Sequence, residues 1–91
     1  QEVSNQEFLG IVLDYDKESK MVTLTQRNYF KTGDRVEMFG PNIRAFSFTI
    51  LKIYNEKGEE IEVARHPEEI VKFYLDREVY PNDIMRVSFG K

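Results

Sequence analysis

The feature that most constrains the fold is a glycine-aspartate turn placed directly before an alternating segment. Residues 26–40 read QRNYFKTGDRVEMFG. Gly33-Asp34 is a typical turn pair, and after it Val36 and Met38 face one side of a strand while charged residues face the other. Because a turn fixes strand register more firmly than propensity does, this corner predicts where the neighbouring strands align.

The same signals along the rest of the chain predict an all-β domain. Runs of β-branched and aromatic residues alternate with polar turns at the spacing of a barrel or a sandwich. We predict a small closed or nearly closed β-barrel of about six to seven mostly antiparallel strands, since closure hides strand edges in a short chain. The remaining predicted strands are residues 7–15, 21–27, 46–54, 70–75 and 84–89, with 61–64 as a further candidate. At most one short helical turn is expected, beginning at Pro67.

Three details of these strands can be tested against the structure. In the first strand, Leu9, Ile11, Leu13 and Tyr15 should share one face. Gly10 predicts a bulge or a close approach of another backbone. Residues 46–54 form the longest strand candidate.

Composition limits the chain to one domain with one core. Its 91 residues carry 41% hydrophobic residues and no cysteine, and the absence of cysteine fits a reducing, cytoplasmic setting. We interpret residues 1–6 as a linker remnant and 7–91 as a single domain, a C-terminal fragment of a larger protein. No apolar run approaches the roughly 20 residues of a membrane helix, so no membrane contact is expected. The net charge of −3 means that any RNA contact must be local.

The sequence contains no catalytic, metal or cofactor pattern. His66 is the only histidine, and its spacing to the serines does not indicate a nucleophile and base pair. The nearby acids at 59, 60, 62, 68 and 69 are typical of a solvated face rather than of a metal site. The glycines are isolated and form no phosphate loop, so we expect no catalytic residue, no metal and no cofactor.

Arginines beside aromatic residues are the remaining pattern. Such pairs can stack bases or hold phosphates, or the rings can belong to the core with arginine stems across them. Polar residues that close a strand before the corner can tie down the turn or face a partner. If Arg27 and Asn28 are buried and bonded internally, the binding interpretation of this stretch should be dropped. The candidate partner-binding residues are Gln26, Arg27, Asn28, Arg44, Arg65, His66 and Arg86. By spacing, Arg27 is paired with Tyr29 and Phe30, Arg44 with Phe39 and Phe46, and Arg86 with Phe89.

Three stretches carry a resemblance to a known protein family. They are EFLGIVLDYD, VTLTQRNYFKTGDRVEMFGPNIRAFSFTILKIYNEKGEEIEVARHP and, near the end of the chain, DIMR. They resemble the C-terminal domain of the collagenase-like peptidases, the thirty-second family of peptidases of unknown catalytic type. The resemblance runs from Glu7 to Arg86. Its most specific pieces are Gln26-Arg27-Asn28, Phe30, Gly33-Asp34, Glu37, Gly40-Pro41, Ala64-Arg65-His66-Pro67 and Met85-Arg86.

This resemblance implies a β-barrel similar to domain two of elongation factor Tu. Gly10 to Val12 and Gly33 to Glu37 resemble strand and turn signals of those barrels. Family members are peptidases or collagenases, and several relatives act in hydroxylation of transfer RNA wobble uridine or of ribosomal RNA. These activities are attributed to the large N-terminal part, and no catalytic residue of the family maps onto these positions.

The resemblance predicts a non-catalytic accessory domain that assists binding of an RNA or protein substrate, or assembly of the parent enzyme. Two alternatives remain open: direct participation in proteolysis, and purely structural stabilisation of the catalytic domain. The expected partners are the N-terminal catalytic domain of the same protein and an RNA or protein substrate. The oligomeric state is left open.

Overall fold

The computed structural model describes residues 8–66 and 68–88, which form strands and turns with no helix. No helix in these ranges is long and apolar enough to cross a membrane. The strands are β1 (Phe8–Asp16), β2 (Met21–Gln26), β3 (Phe30–Lys31), β4 (Arg35–Gly40), β5 (Ile43–Thr49), β6 (Ile53–Asn55), β7 (Glu60–Ile61), β8 (Val63–Ala64), β9 (Ile70–Tyr74) and β10 (Ile84–Val87).

Eight of these strands form one sheet in the order β5-β4-β10-β1-β2-β9-β6-β7, and β3 pairs with β8 in a small second sheet. The recorded pairings are antiparallel. The large sheet curls, since the ring centroids of Phe48 on β5 and Phe73 on β9 lie 5.9 Å apart. Its end strands β5 and β7 do not pair with each other within the described residues. The all-β class is therefore confirmed, and the closed barrel stays a prediction.

Alternation places the core as expected in the strands next to the corner. In β2, Val22 and Leu24 are buried, and in β4 Val36 and Met38 are buried while Arg35 is exposed. These residues join one hydrophobic cluster with side chains from six other strands and from the connecting segments. The period-2 pattern thus predicted the inward faces of β2 and β4 correctly.

The prediction for the faces of β1 was wrong beyond its first residues. Leu9 and Val12 are buried, whereas Leu13 is 43% exposed. The register shifts between Phe8 and Gly10 on the β10 side and between Val12 and Asp14 on the β2 side. Each shift moves the following side chains to the other face. The irregularity predicted at Gly10 is confirmed, and it is the reason why simple alternation failed.

The predicted strand over residues 46–54 is in fact two strands, so that β1 is the longest. Ile50 leaves the ladder because the corner uses its backbone groups: Gly33 N donates to Ile50 O at 2.7 Å, and Ile50 N donates to Asp34 O at 3.0 Å. The chain then crosses from β5 to β6 with Leu51 76% exposed. These hydrogen bonds join Ile50 to a turn that is distant in the sequence. The sequence of residues 46–54 alone therefore does not reveal where the strand ends.

Residues 8–66 and 68–88 contain ten strands, more than the predicted six or seven, because short strands such as β7 and β8 have only two residues each. The prediction allowed at most one helical turn beginning at Pro67; the next residue, Glu68, has φ 66°, which is a left-handed and not a helical conformation. Pro67 and the linker predicted at residues 1–6 lie outside the described residues.

Candidate functional site

Gln26 is the structural centre of the corner. Its side chain is fully buried, and its amide Nε2 donates to Ala64 O at 2.5 Å and to Asn28 O at 3.3 Å. Its backbone N donates to Glu69 O at 2.8 Å and its carbonyl accepts from Glu68 N at 2.6 Å. One residue therefore fastens the end of β2 to β8 and to the following turn. Its Oε1 has no hydrogen-bond partner among the described residues.

The two residues after Gln26 hold the start of β1. Arg27 N and Asn28 N donate to Leu9 O at 2.7 and 3.3 Å, and Asn28 Nδ2 donates to Phe8 O at 2.7 Å. The internal hydrogen bonds of Gln26 and Asn28 favour a structural role for these two residues. Asn28 is only half-buried and the side chain of Arg27 is exposed, so the binding role of this stretch stays a prediction.

Two arginines lie over rings on one outer face of the sheet. The Arg27 guanidinium carbon is 5.9 Å from the Phe8 ring centroid, and that of Arg86 is 4.2 Å from the Phe39 centroid. Phe8 and Arg86 are cross-strand partners of β1 and β10, so the four residues are contiguous. We call Phe8, Arg27, Phe39 and Arg86 the arginine patch. Arg86 Nε also donates to Glu37 Oε1 at 2.9 Å, so part of its charge is balanced.

The Gly33-Asp34 corner is architectural, as predicted. Gly33 has φ 92°, which glycine adopts without strain. Asp34 accepts from Lys31 N at 2.9 Å and from Lys31 Nζ at 2.7 Å, and the side-chain hydrogen bond raises the pKa of Lys31. These contacts close the turn from both sides. We still expect a β-branched residue at position 33 to lower stability, because positive φ is strained for such a residue.

The other predicted site residues do not form a single cluster with the arginine patch. Arg65 and His66 are exposed beside the turn that Gln26 fastens, in a cleft that also contains Glu62 and Glu69. Arg44 is exposed on β5. The expected pairing of Arg44 with Phe39 and Phe46 was wrong, since other arginines lie over both rings.

Arg77 is the residue that sequence reasoning missed. Its guanidinium carbon lies 4.1 Å from the centroid of Phe46. The two residues are far apart in the sequence, and only the curl of the sheet brings them together. The suggested partner of Arg86, Phe89, lies outside the described residues, and the ring under Arg86 is Phe39. Pairings between distant strands left no signal in local spacing.

Groups capable of catalysis are dispersed where the structure describes them. His66 lies in the turn before β9. Ser47 on β5 and Ser88 just after β10 have their Oγ atoms 3.1 Å apart, and other strands of the sheet separate both of these strands from β9. Residues 8–66 and 68–88 contain no group of three or more potential metal ligands placed to hold an ion. The features of this described surface that suit a ligand are guanidinium groups and rings.

The chain is similar to a known family of domains and to a curated bacterial protein. Residues 4–86 match the family model described as peptidase family U32 C-terminal domain. The chain is 55% identical over 80 residues to tRNA hydroxylation protein P1 of Bacillus subtilis (strain 168), covering 88% of this chain and 19% of that protein. It thus spans about a fifth of the length of this curated relative.

Two crystal structures are also similar. Both are of the C-terminal domain of a Geobacillus thermoleovorans protein assigned to the U32 peptidases. One superposes with a TM-score of 0.89 at 45% identity, covering 97% of this chain and 99% of that one. The selenomethionine variant gives a TM-score of 0.86 at 50% identity and covers 88% and 98% of the two chains. In both crystals the matched domain makes up nearly the whole chain.

Proposed function

This chain belongs to the peptidase family U32 C-terminal domains, and on that premise we propose that it is a non-catalytic accessory domain that adds RNA contacts to a larger RNA-modifying enzyme. The observation that carries the proposal is the 55% identity to a protein named for tRNA hydroxylation. Identity at that level over 88% of the chain favours a shared role. A tRNA substrate would also place the parent protein in the cytoplasm, in agreement with the absence of cysteine.

The arginine patch supplies the chemistry for such contacts. A guanidinium stacked on a ring is held in place while its N–H edges stay available for phosphate oxygens. Arg27 makes no ion pair with another described residue, whereas Arg86 shares its charge with Glu37. Arg27 is therefore the stronger candidate for a phosphate contact. Because the chain carries a net charge of −3, these contacts would act locally and not through long-range attraction.

Replacing both patch arginines is the test of this surface. In the complete protein that carries this domain, Arg27→Ala with Arg86→Ala should weaken tRNA binding about tenfold and lower the salt slope of log Kd by about one to two, since each lost phosphate contact removes about one released counterion. The measurement is a tRNA titration at several salt concentrations.

Lys57→Ala is the matched control. Lys57 is exposed in the turn between β6 and β7, where Glu56 and Glu59 surround it, so its charge should not face RNA. The control should bind tRNA as the unmodified protein does. Equal affinities and salt slopes for the double variant, the control and the unmodified protein would remove the patch from the proposal.

A further inference from the structure

We propose that the groove between β5 and β9 binds single-stranded RNA, with bases stacked on its aromatic walls and phosphates held by Lys52 and Arg77. This inference rests on the proposed function and adds the site and the form of RNA that the site takes. The groove has a volume of about 580 Å³. The lining residues that bear on a ligand are Phe46, Phe48, Lys52, Tyr74, Asp76 and Arg77.

The walls of the groove are rings that the core leaves partly uncovered. Phe46 and Phe48 form a tilted pair with centroids 5.7 Å apart, and both are only half-buried. Across the groove Tyr74 is 56% exposed. Partly exposed rings in an open groove suit nucleobases, because every base offers a π face and stacking tolerates any sequence.

The charge of the groove suits an anionic chain. Lys52 and Arg77 are both in its lining, and the lining acid Asp76 is balanced by Lys20, whose Nζ lies 2.8 Å from Asp76 Oδ1. Arg77 is stacked over Phe46 at 4.1 Å, which leaves its N–H edges available for a phosphate. A net positive lining in a chain of net charge −3 is complementary to a nucleic acid backbone.

The groove and the arginine patch are separate surfaces. Arg86 is the cross-strand partner of Glu37, and Glu37 is the partner of Ser47, which lines the groove. Two strand spacings, about 10 Å, therefore separate Arg86 from β5. Phe46 and Phe48 alternate with Ser47 and pack against the core, so these two rings do not share a face of the sheet with Arg86.

A protein strand is the other occupant that this groove could take, because the outer edge of β5 has no partner strand in the described sheet. Aromatic rings beside unbalanced cations favour RNA over a strand, since a strand needs free backbone groups and side-chain pockets but no cations. The experiment must therefore separate the two occupants.

The test uses the complete protein with a 12-nucleotide uridine oligomer and with tRNA as probes. Tyr74→Leu should weaken oligomer binding about tenfold, the effect expected from losing one stacked base, whereas Tyr74→Phe should retain binding. Arg77→Gln should lower the salt slope of log Kd by about one. Tyr80→Leu is the matched control, because Tyr80 is 37% exposed and lies outside the groove lining.

Each outcome decides between explanations. If removal of residues 8–88 weakens RNA binding but Tyr74→Leu and Arg77→Gln do not, the groove inference is wrong and the proposed function stands. If removal has no effect on RNA binding, both are wrong. If the groove variants instead abolish the contact between this domain and the rest of the protein while RNA affinity stays unchanged, the groove is a protein-docking site. Thermal unfolding of every variant shows whether lost binding reflects lost folding.

Discussion

Gly10→Ala is expected to lower the free energy of unfolding by about 3 kcal/mol or more. A Cβ at this position would lie 2.6 Å from Leu24 Cδ2, 2.6 Å from the backbone Thr25 O and 2.9 Å from Leu24 Cγ. A flexible side chain could turn away, but a carbonyl fixed in the neighbouring strand cannot. The β1–β2 pair would have to separate at Gly10, which pairs with Gln26 on β2. The measurement is chemical denaturation of the isolated domain.

A second variant separates the two clashes. Leu24→Ala removes the side-chain contacts but leaves Thr25 O in place, so Gly10→Ala should remain destabilising in the Leu24→Ala background. Full relief in the double-mutant cycle would assign the clash to Leu24 alone. A loss below about 0.5 kcal/mol for Gly10→Ala, the range of ordinary surface substitutions, would contradict the close packing of β1 against β2.

Gln26→Glu is expected to destabilise the domain by about 3 kcal/mol at pH 7 and by much less near pH 4. The change replaces the Nε2 donor, which bonds the carbonyls of Ala64 and Asn28, by an oxygen in a fully buried position. A protonated carboxyl can still donate one hydrogen bond, whereas a carboxylate cannot.

The direction with pH follows from linkage. Burial should raise the pKa of the introduced carboxyl in the folded state above its unfolded value of about 4.3. The penalty is therefore absent below the unfolded pKa and grows as the pH rises towards the folded pKa. Asn42→Asp makes the same amide-to-acid change in an exposed turn and should show almost no penalty. A pH-independent loss for Gln26→Glu would contradict the buried hydrogen bonds of the corner.

Local patterns predicted the parts of the fold that depend on neighbours in the sequence. The corner at Gly33-Asp34 and the inward residues of β2 and β4 follow from turn chemistry and alternation. The break after Thr49 could not be predicted, because the groups that cause it belong to the distant corner. The same is true of Leu13, which follows the register shift at Phe8/Gly10, lies within the shift at Val12/Asp14 and is exposed.

In the candidate site, too, the sequence predicted features that depend on local residues but not those that depend on distant strands. Sequence reasoning singled out Gln26 and Asn28 as either structural or binding residues, and their hydrogen bonds favour a structural role. It singled out Arg27 and Arg86 by rings near them in the sequence, whereas the rings that lie under them, Phe8 and Phe39, belong to other strands. Arg77 was missed for that reason. The sequence could therefore indicate that arginines beside aromatic rings are important, but which ring each arginine contacts depends on the order of the strands in the sheet.

The most direct test of the central claim compares the complete protein with a version that lacks residues 8–88, using tRNA and collagen as ligands at one stated salt concentration. An RNA-contacting accessory domain predicts that removal weakens tRNA binding at least about tenfold, the sum expected from several phosphate and stacking contacts, and leaves collagen binding unchanged. Equal tRNA affinity for both proteins, or a loss confined to collagen, would contradict it.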